Sequence, residues 1–256
     1  VETVVFEIII CFLFFALGAA TGSFLNVVIM RSIKKESFTK GRSHCPFCAQ
    51  TLKAKELIPI FSFLFQGGRC RNCKEKLSFQ YPIVETLTAF AFVWAYCEFG
   101  LSIRLAFALI LFAVLIELSV NDHKTGEIPY HCSIIIAGLG VIAFVMSFFN
   151  YSIHETFWYE HIIGLFIISV PFMLLAFFGA MGGGDVHLMA AAGLLLGWAI
   201  VPSALIGFFV GAIAGVIIKL STKSGIIRFG PYLSIGIAIG YVYGKEIIEG
   251  YKSLLY

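Results

Sequence analysis

Eight apolar runs, separated by polar segments of which 31–81 is the longest, constrain this 256-residue chain more than any other feature. They fall at about Val4 to Met30, Pro82 to Phe99, Ile103 to Val120, His131 to Phe149, Ile162 to Phe178, Leu188 to Val201, Ser203 to Leu220 and Tyr232 to Tyr243. Most approach the roughly 20 residues that cross a hydrocarbon core as a helix, and the last is short even for an untilted span. Lipid offers no water to backbone groups, and the runs lack the alternation of barrel strands, so each is expected to be a helix. The chain is 59% hydrophobic and 13% charged, with mean hydropathy +0.94, which excludes a soluble domain that must wet its surface. The expected fold is an all-α polytopic membrane protein with about eight transmembrane helices. The first run contains Leu17-Gly-Ala-Ala20, small residues of the kind a signal peptidase accepts. Its leader flank carries Glu2 and Glu7 and no basic residue, and the run continues to Met30 before Arg31, so it is expected to be a retained span with its amino end outside.

Charge orients the chain. Eleven of the 18 Lys and Arg residues lie between Arg31 and Lys76, opposed there only by Glu36, Glu56 and Glu75. Cytoplasmic loops collect such an excess of positive charge, so this loop is expected inside. Threading the spans from it puts segments 121–130, 179–187 and 219–230 inside, and 100–102, 150–160 and the carboxyl end outside. Lys124, Lys219, Lys223 and Arg228 then fall inside and Glu155 and Glu160 outside, whereas Arg104, Lys245 and Lys252 are exceptions. Insertion bias accounts for the basic loop without a polyanion, so no nucleic-acid partner is expected.

The chain has two aspartates. Asp122 ends the third span, in Glu117-Leu-Ser-Val-Asn-Asp122, and Asp185 follows Gly182, Gly183 and Gly184 at the start of the sixth. The threading above, made without reference to them, brings both to the cytoplasmic membrane face, although 63 positions separate them in sequence. Ionisable groups at such depth are costly and usually functional, and two converging carboxylates cannot both ionise easily. A pair sharing one proton suits aspartic proteolysis, in which the carboxylate activates water and the acid polarises the scissile carbonyl. The pair titrates as a unit, so neither role attaches to one aspartate. The glycines would let an extended substrate backbone approach closely; a flexible helix start capped by Asp185 is the structural alternative.

Inside the basic loop, Cys45 and Cys48 form one C-x-x-C pair and Cys70 and Cys73 a second. Four thiolates suit a closed tetrahedral Zn²⁺ site of structural type, and the reducing cytoplasm argues against two disulfides. The metal would fold a loop with little core of its own.

Taken in order, these segments resemble the bacterial type IV prepilin leader peptidases, membrane aspartic proteases with a GxGD motif. The likeness runs through Gly22 to Arg31, both cysteine pairs, Gln80 to Glu85, the Asp122 segment ending in Ile128-Pro129, Gly182 to Leu188, and Phe229 to Leu233. It implies a bacterial inner-membrane enzyme with its active site at the cytoplasmic face. Such an enzyme removes a short leader from prepilin or pseudopilin substrates after a glycine, and bifunctional members then methylate the new amino terminus with S-adenosylmethionine. Carried over by motif, Asp122 and Asp185 are the catalytic pair and Cys45, Cys48, Cys70 and Cys73 the zinc ligands. Gly22, Asn26, Arg31, Gly68 and Glu85 are the candidates for cofactor binding, each with a competing reading as packing, turn or topology residue. The expected organisation is a first transmembrane helix at 1–30, a zinc loop at 31–80 and a lipid-embedded protease core at 81–256. The family often has Lys where this chain has His187, Asp or Asn in place of Tyr130, and Pro in place of Arg228.

A different reading is a membrane scaffold or transporter whose zinc loop docks a partner and whose aspartates hold an ion. Transport favours charges near the bilayer midplane, and both aspartates are expected at the inner boundary. The presenilin type of protease also uses GxGD but expects Pro-Ala-Leu near the last spans, where this chain has Phe229-Gly-Pro-Tyr-Leu233.

Overall fold

In a computed structural model, residues 2–34, 43–149, 156–222 and 228–255 are described. Glu155 and Lys223, which bore on orientation, lie outside them, as does the basic stretch 35–42. Among the described residues the chain is nearly all helical. The helices are α1 (Glu2–Lys34), α2 (Phe61–Phe65), α3 (Gln80–Phe99), α4 (Ile103–Thr125), α5 (Tyr130–Phe148), α6 (Trp158–Ile167), α7 (Ser169–Phe177), α8 (Gly183–Leu196), α9 (Ile200–Thr222) and α10 (Gly230–Leu255). All eight apolar runs lie on these helices. Among the described residues, five helical stretches are long and apolar enough to cross a membrane: Val4–Lys34, Ile103–Thr125, Tyr130–Phe148, Trp158–Phe177 and Gly183–Ser221. This is a multi-pass membrane protein. Helices α3, with Glu85 and Glu98, and α10, with Lys245, Glu246, Glu249 and Lys252, are more polar and are not among the five.

Two of the five stretches are broken for local reasons. Pro171 has no N–H to give the carbonyl of Ile167, and α6 ends at that residue. The 39-residue stretch Gly183–Ser221 is divided at Gly197, whose φ of 59° lies in the left-handed region that a side chain disfavours. The break falls inside the expected run Leu188 to Val201, so Ile200 and Val201 begin α9 rather than end α8.

The chain divides into two compact units, Val1–Leu105 and Ala106–Tyr256. In the first, α1 packs along α3 at two glycines one turn apart. A Cβ on Gly18 would stand 2.7 Å from the Ala89 Cα, and one on Gly22 would stand 2.7 Å from the Glu85 Cα. Small residues at this spacing let helix backbones meet where lipid gives no hydrophobic drive for association. Phe14 stacks on Tyr96 with ring centroids 4.9 Å apart, and the Tyr96 hydroxyl donates to Glu7 Oε2 at 2.8 Å.

The centre of the second unit is α8, where Leu188, Met189, Ala192, Leu195 and Leu196 are fully or almost fully buried. A helix apolar all round has to be enclosed by others, and α5, α6 and α7 pack against it. At the α6–α8 crossing, Gly164 and Gly193 approach so closely that a Cβ on either would overlap the other's carbonyl oxygen. Both obstructing groups are backbone and cannot rotate away. Gly193→Ala is expected to destabilise the unit by about 3 kcal/mol, at the upper end of overpacking costs. Thermal unfolding in detergent measures this, and a variant as stable as wild type would show that the crossing is looser. His161, 1% exposed, is a satisfied buried histidine: Nδ1 lies 2.8 Å from the Leu194 carbonyl and Nε2 3.1 Å from the Thr156 hydroxyl.

Candidate active site and cysteine cluster

Asp122 lies in the last turn of α4, which Gly126 terminates with φ 73° and an N–H bonded to the Asp122 carbonyl at 2.8 Å. The residue is 5% exposed, and its Oδ2 accepts the Gly230 N–H at 2.9 Å. Asp185 lies in the first turn of α8, half-buried, its N–H bonded to the Gly182 carbonyl at 3.1 Å. The two carboxylates are within electrostatic reach of each other.

The three glycines before Asp185 differ in their surroundings. A Cβ on Gly184 would stand 3.0 Å from the Ile128 Cβ, one on Gly182 would stand 3.3 Å from Asp185 Oδ2, and one on Gly183 would meet nothing within 4 Å. The space at Gly184 is therefore filled by this chain's own Ile128, which joins the loop after Asp122 to the turn before Asp185. Across the same junction Tyr130 Oη lies 3.4 Å from His187 Nε2, with the rings 5.2 Å apart.

The four loop cysteines converge, with their sulfurs all within 4.8 Å of one another and Cys45 Sγ 3.9 Å from Cys73 Sγ. Zinc–sulfur bonds of about 2.3 Å in a tetrahedron put sulfurs about 3.8 Å apart, so the donor set fits Zn²⁺ in both chemistry and size. The two halves repeat one design. Cys45 N–H bonds to the Gln50 carbonyl and Ala49 N–H to that of Cys45; Cys70 N–H bonds to the Glu75 carbonyl and Lys74 N–H to that of Cys70. Isolated antiparallel bridges, His44 with Thr51 and Arg69 with Lys76, close the two turns. The Gln50 N–H, with the Asn72 side-chain amide, draws the Cys48 thiol down to about 6, toward the thiolate form that a metal takes. The N–H groups of Cys73 and Asn72 lower Cys70 in the same way.

Each turn also requires a left-handed residue just after its second cysteine: Ala49 at φ 56° and Lys74 at φ 61°. Glycine takes this conformation without cost, whereas other residues lose about 1–2 kcal/mol. Ala49→Gly should therefore stabilise the loop by up to about 1 kcal/mol. Limited proteolysis of the metal-loaded protein reads the effect as slower cleavage within 43–77; faster cleavage would count against it.

Also in the first unit, a cavity of about 150 Å³ opens between α1, the start of α3 and the cysteine loop. Asn26, Arg31 and Glu85 line it together with His44, Phe63 and Tyr81, whereas Gly22 and Gly68 are not among its lining residues. Gly22 packs α1 on α3, and Gly68, at φ 66°, turns the chain where an added Cβ would stand 3.1 Å from the Phe63 ring. Asn26 is held by its own bonds, giving Nδ2–H to the Tyr81 carbonyl at 3.1 Å and accepting from Gln80 Nε2 at 3.2 Å. Glu85, 7% exposed, accepts the Ile60 N–H at 2.6 Å and so anchors a β-branched residue at the rare φ of 63°.

Comparison with known proteins decides the family. Residues 16–99 match the Bacterial Peptidase A24 N-terminal domain and residues 109–220 the Type IV leader peptidase family. The prepilin leader peptidase/N-methyltransferase of Bacillus subtilis (strain 168) is 34% identical over 247 residues, covering 93% of this chain and 96% of that protein. The protein of that name from Legionella pneumophila is 33% identical over 261 residues, covering 91% of each. Its Pseudomonas aeruginosa namesake is 31% identical over 266 residues, covering 92% of this chain and 91% of the relative. The chain belongs to the type IV leader peptidase family. No solved structure matches it.

In this leader peptidase family member the two matched regions fall one in each compact unit. One feature is not apparent from sequence. Glu117, 4% exposed, lies 2.6 Å from His131 Nε2, with the Cys132 sulfur in the same cluster. That hydrogen bond closes the carboxylate and imidazole on each other, clamping the start of α5 to α4 beside the loop that carries Ile128.

Proposed function

We propose that this chain is a membrane endopeptidase that removes the cytoplasmic leader of type IV prepilins or pseudopilins after a glycine and then methylates the new amino terminus. The observation that carries the reading is the convergence of Asp122 and Asp185, distant in sequence, at the joined ends of α4 and α8. The relatives' names give the substrate class and the second activity. One carboxylate of the pair takes a proton from water, whose oxygen attacks the scissile carbonyl, while the protonated partner donates to the carbonyl oxygen. Collapse of the resulting diol passes a proton to the leaving nitrogen and regenerates the pair. The enzyme resides in the bacterial inner membrane, crosses it about eight times and works at the cytoplasmic face.

The first unit carries the methyl transfer. When bound, S-adenosylmethionine supplies the methyl group. Its cationic and anionic groups suit the mixed lining of the cavity, where Glu85 and Arg31 would bind opposite ends, with Phe63 and Tyr81 offering faces for the purine. Cys45, Cys48, Cys70 and Cys73 would hold Zn²⁺ and order the loop forming one wall of that cavity. Mass spectrometry of a prepilin incubated with the protein and S-adenosylmethionine in detergent tests the whole reading. Loss of the leader after glycine, followed by an added methyl, is expected. Intact substrate across several prepilins, with a folded protein, would overturn it.

A further inference from the structure

We propose that Gly230 is a positioning residue of the peptidase site, its N–H and its missing side chain together fixing the orientation of the Asp122 carboxylate. The inference rests on the peptidase reading and adds a part to it. Gly230 opens α10 and is buried. Its N–H has no carbonyl four residues back within the helix, so it is one of the donors that a helix start leaves over. Asp122 Oδ2 takes that donor at 2.9 Å in a buried setting, 108 positions away in sequence. A hydrogen bond to a charged acceptor is the stronger kind, and it engages one carboxylate oxygen, leaving the other for water and for Asp185.

The second observation is independent of the first. A Cβ on Gly230 would stand 2.7 Å from Asp122 Oδ2, 2.9 Å from Cγ and 3.0 Å from Cβ. No other residue type leaves that side chain where it is. The two nearest atoms belong to a rotatable carboxylate, so an added methyl would turn Asp122 aside, and the contact with its Cβ would need a further shift of the helix ends. Pro231 follows at a position of the first turn where its missing N–H costs nothing, consistent with a helix start built to present the glycine. The Phe229-Gly-Pro-Tyr-Leu233 segment thereby acquires a function: it is the third piece of the dyad, contributed by the last helix.

Gly230→Ala separates this role from a structural one. Alanine favours a helix over glycine, so a purely structural position predicts unchanged or raised thermal stability with unchanged turnover. Positioning predicts a fall in kcat of about 100-fold with KM for prepilin nearly unchanged, the scale expected when a reacting group is displaced by about 1 Å. Gly250→Ala, on the same helix and with a Cβ that meets nothing, is the control and retains wild-type kcat. Should Gly230→Ala fail to fold, the hydrogen bond can be read without it. Labelling with ¹³C-carbonyl Phe and ¹⁵N-Gly isolates the three Phe-Gly pairs, Phe99-Gly100, Phe178-Gly179 and Phe229-Gly230. The Gly230 amide proton is expected far downfield and displaced upfield by Asp122→Asn. Wild-type kcat in a folded Gly230→Ala protein, or an amide signal unmoved by Asp122→Asn, overturns the proposal. A wild-type protein that cleaves no prepilin defeats the peptidase reading instead, and the amide signal still decides the contact.

Discussion

Asp185→Asn is expected to lower prepilin cleavage by about 10³-fold or more, with the protein still inserted and folded; general acid–base groups commonly contribute 10² to 10⁴ each. Asparagine keeps the shape of the side chain and can neither give nor take the proton the reaction needs. It also removes one of two neighbouring carboxylates, so the thermal midpoint should hold or rise. The combination is diagnostic: loss of chemistry without loss of stability marks a reacting group, whereas a helix cap loses stability and keeps its chemistry. Asp122→Asn should be equally inactive, since both members are needed for a shared proton. Quantitative mass spectrometry of cleaved and uncleaved prepilin measures both variants. Cleavage above a tenth of the wild-type rate in either would return the scaffold reading to first place.

The second large effect concerns the loop. Cys70→Ser, or treatment with a strong chelator, is expected to remove the metal and unravel residues 43–77. Those residues hold little secondary structure beyond two turns, two isolated bridges, one 3₁₀ turn at Ala54–Glu56 and the short α2. A structural zinc site contributes on the order of 10 kcal/mol, more than such a segment holds otherwise. The cavity between α1, α3 and the loop loses a wall when the loop opens, so methyl transfer should fall to background in the same variant. Elemental analysis, proteolysis within 43–77 and the mass of the processed amino terminus report the three consequences. A wild-type protein with no stoichiometric zinc, or a Cys70→Ser variant that methylates normally, would refute the assignment.

Much of this was legible in the sequence because it depends on spacing and charge. The meeting of Asp122 and Asp185 follows from counting spans between them, and the cysteine cluster follows from two matched pairs. What was not legible depends on where helices cross. Nothing in a local window says that Gly184 exists for Ile128 and Gly183 for no neighbour; only the packed structure distinguishes them. The same holds for Glu117, whose contact with His131, 14 positions on, no local pattern announces. Of the five cofactor candidates, Asn26, Arg31 and Glu85 share a cavity because their side chains turn inward, while Gly22 and Gly68 serve a helix contact and a turn. His44, Phe63 and Tyr81 were missed because a lining formed by distant segments leaves no pattern along the chain. The segmentation of Gly183–Ser221 rested on Gly197, one residue in an unbroken apolar stretch.

The mutual approach of Gly164 and Gly193 bears on how such a protein survives outside its membrane. A soluble core is held largely because water is driven out of it, and a solvent that wets apolar groups dissolves that advantage. Backbone meeting backbone gains instead from dispersion between closely fitted atoms, a contribution that the surrounding liquid scarcely touches. Exchange of lipid for detergent leaves the α6–α8 contact as it was, because neither medium has an atom small enough to enter it.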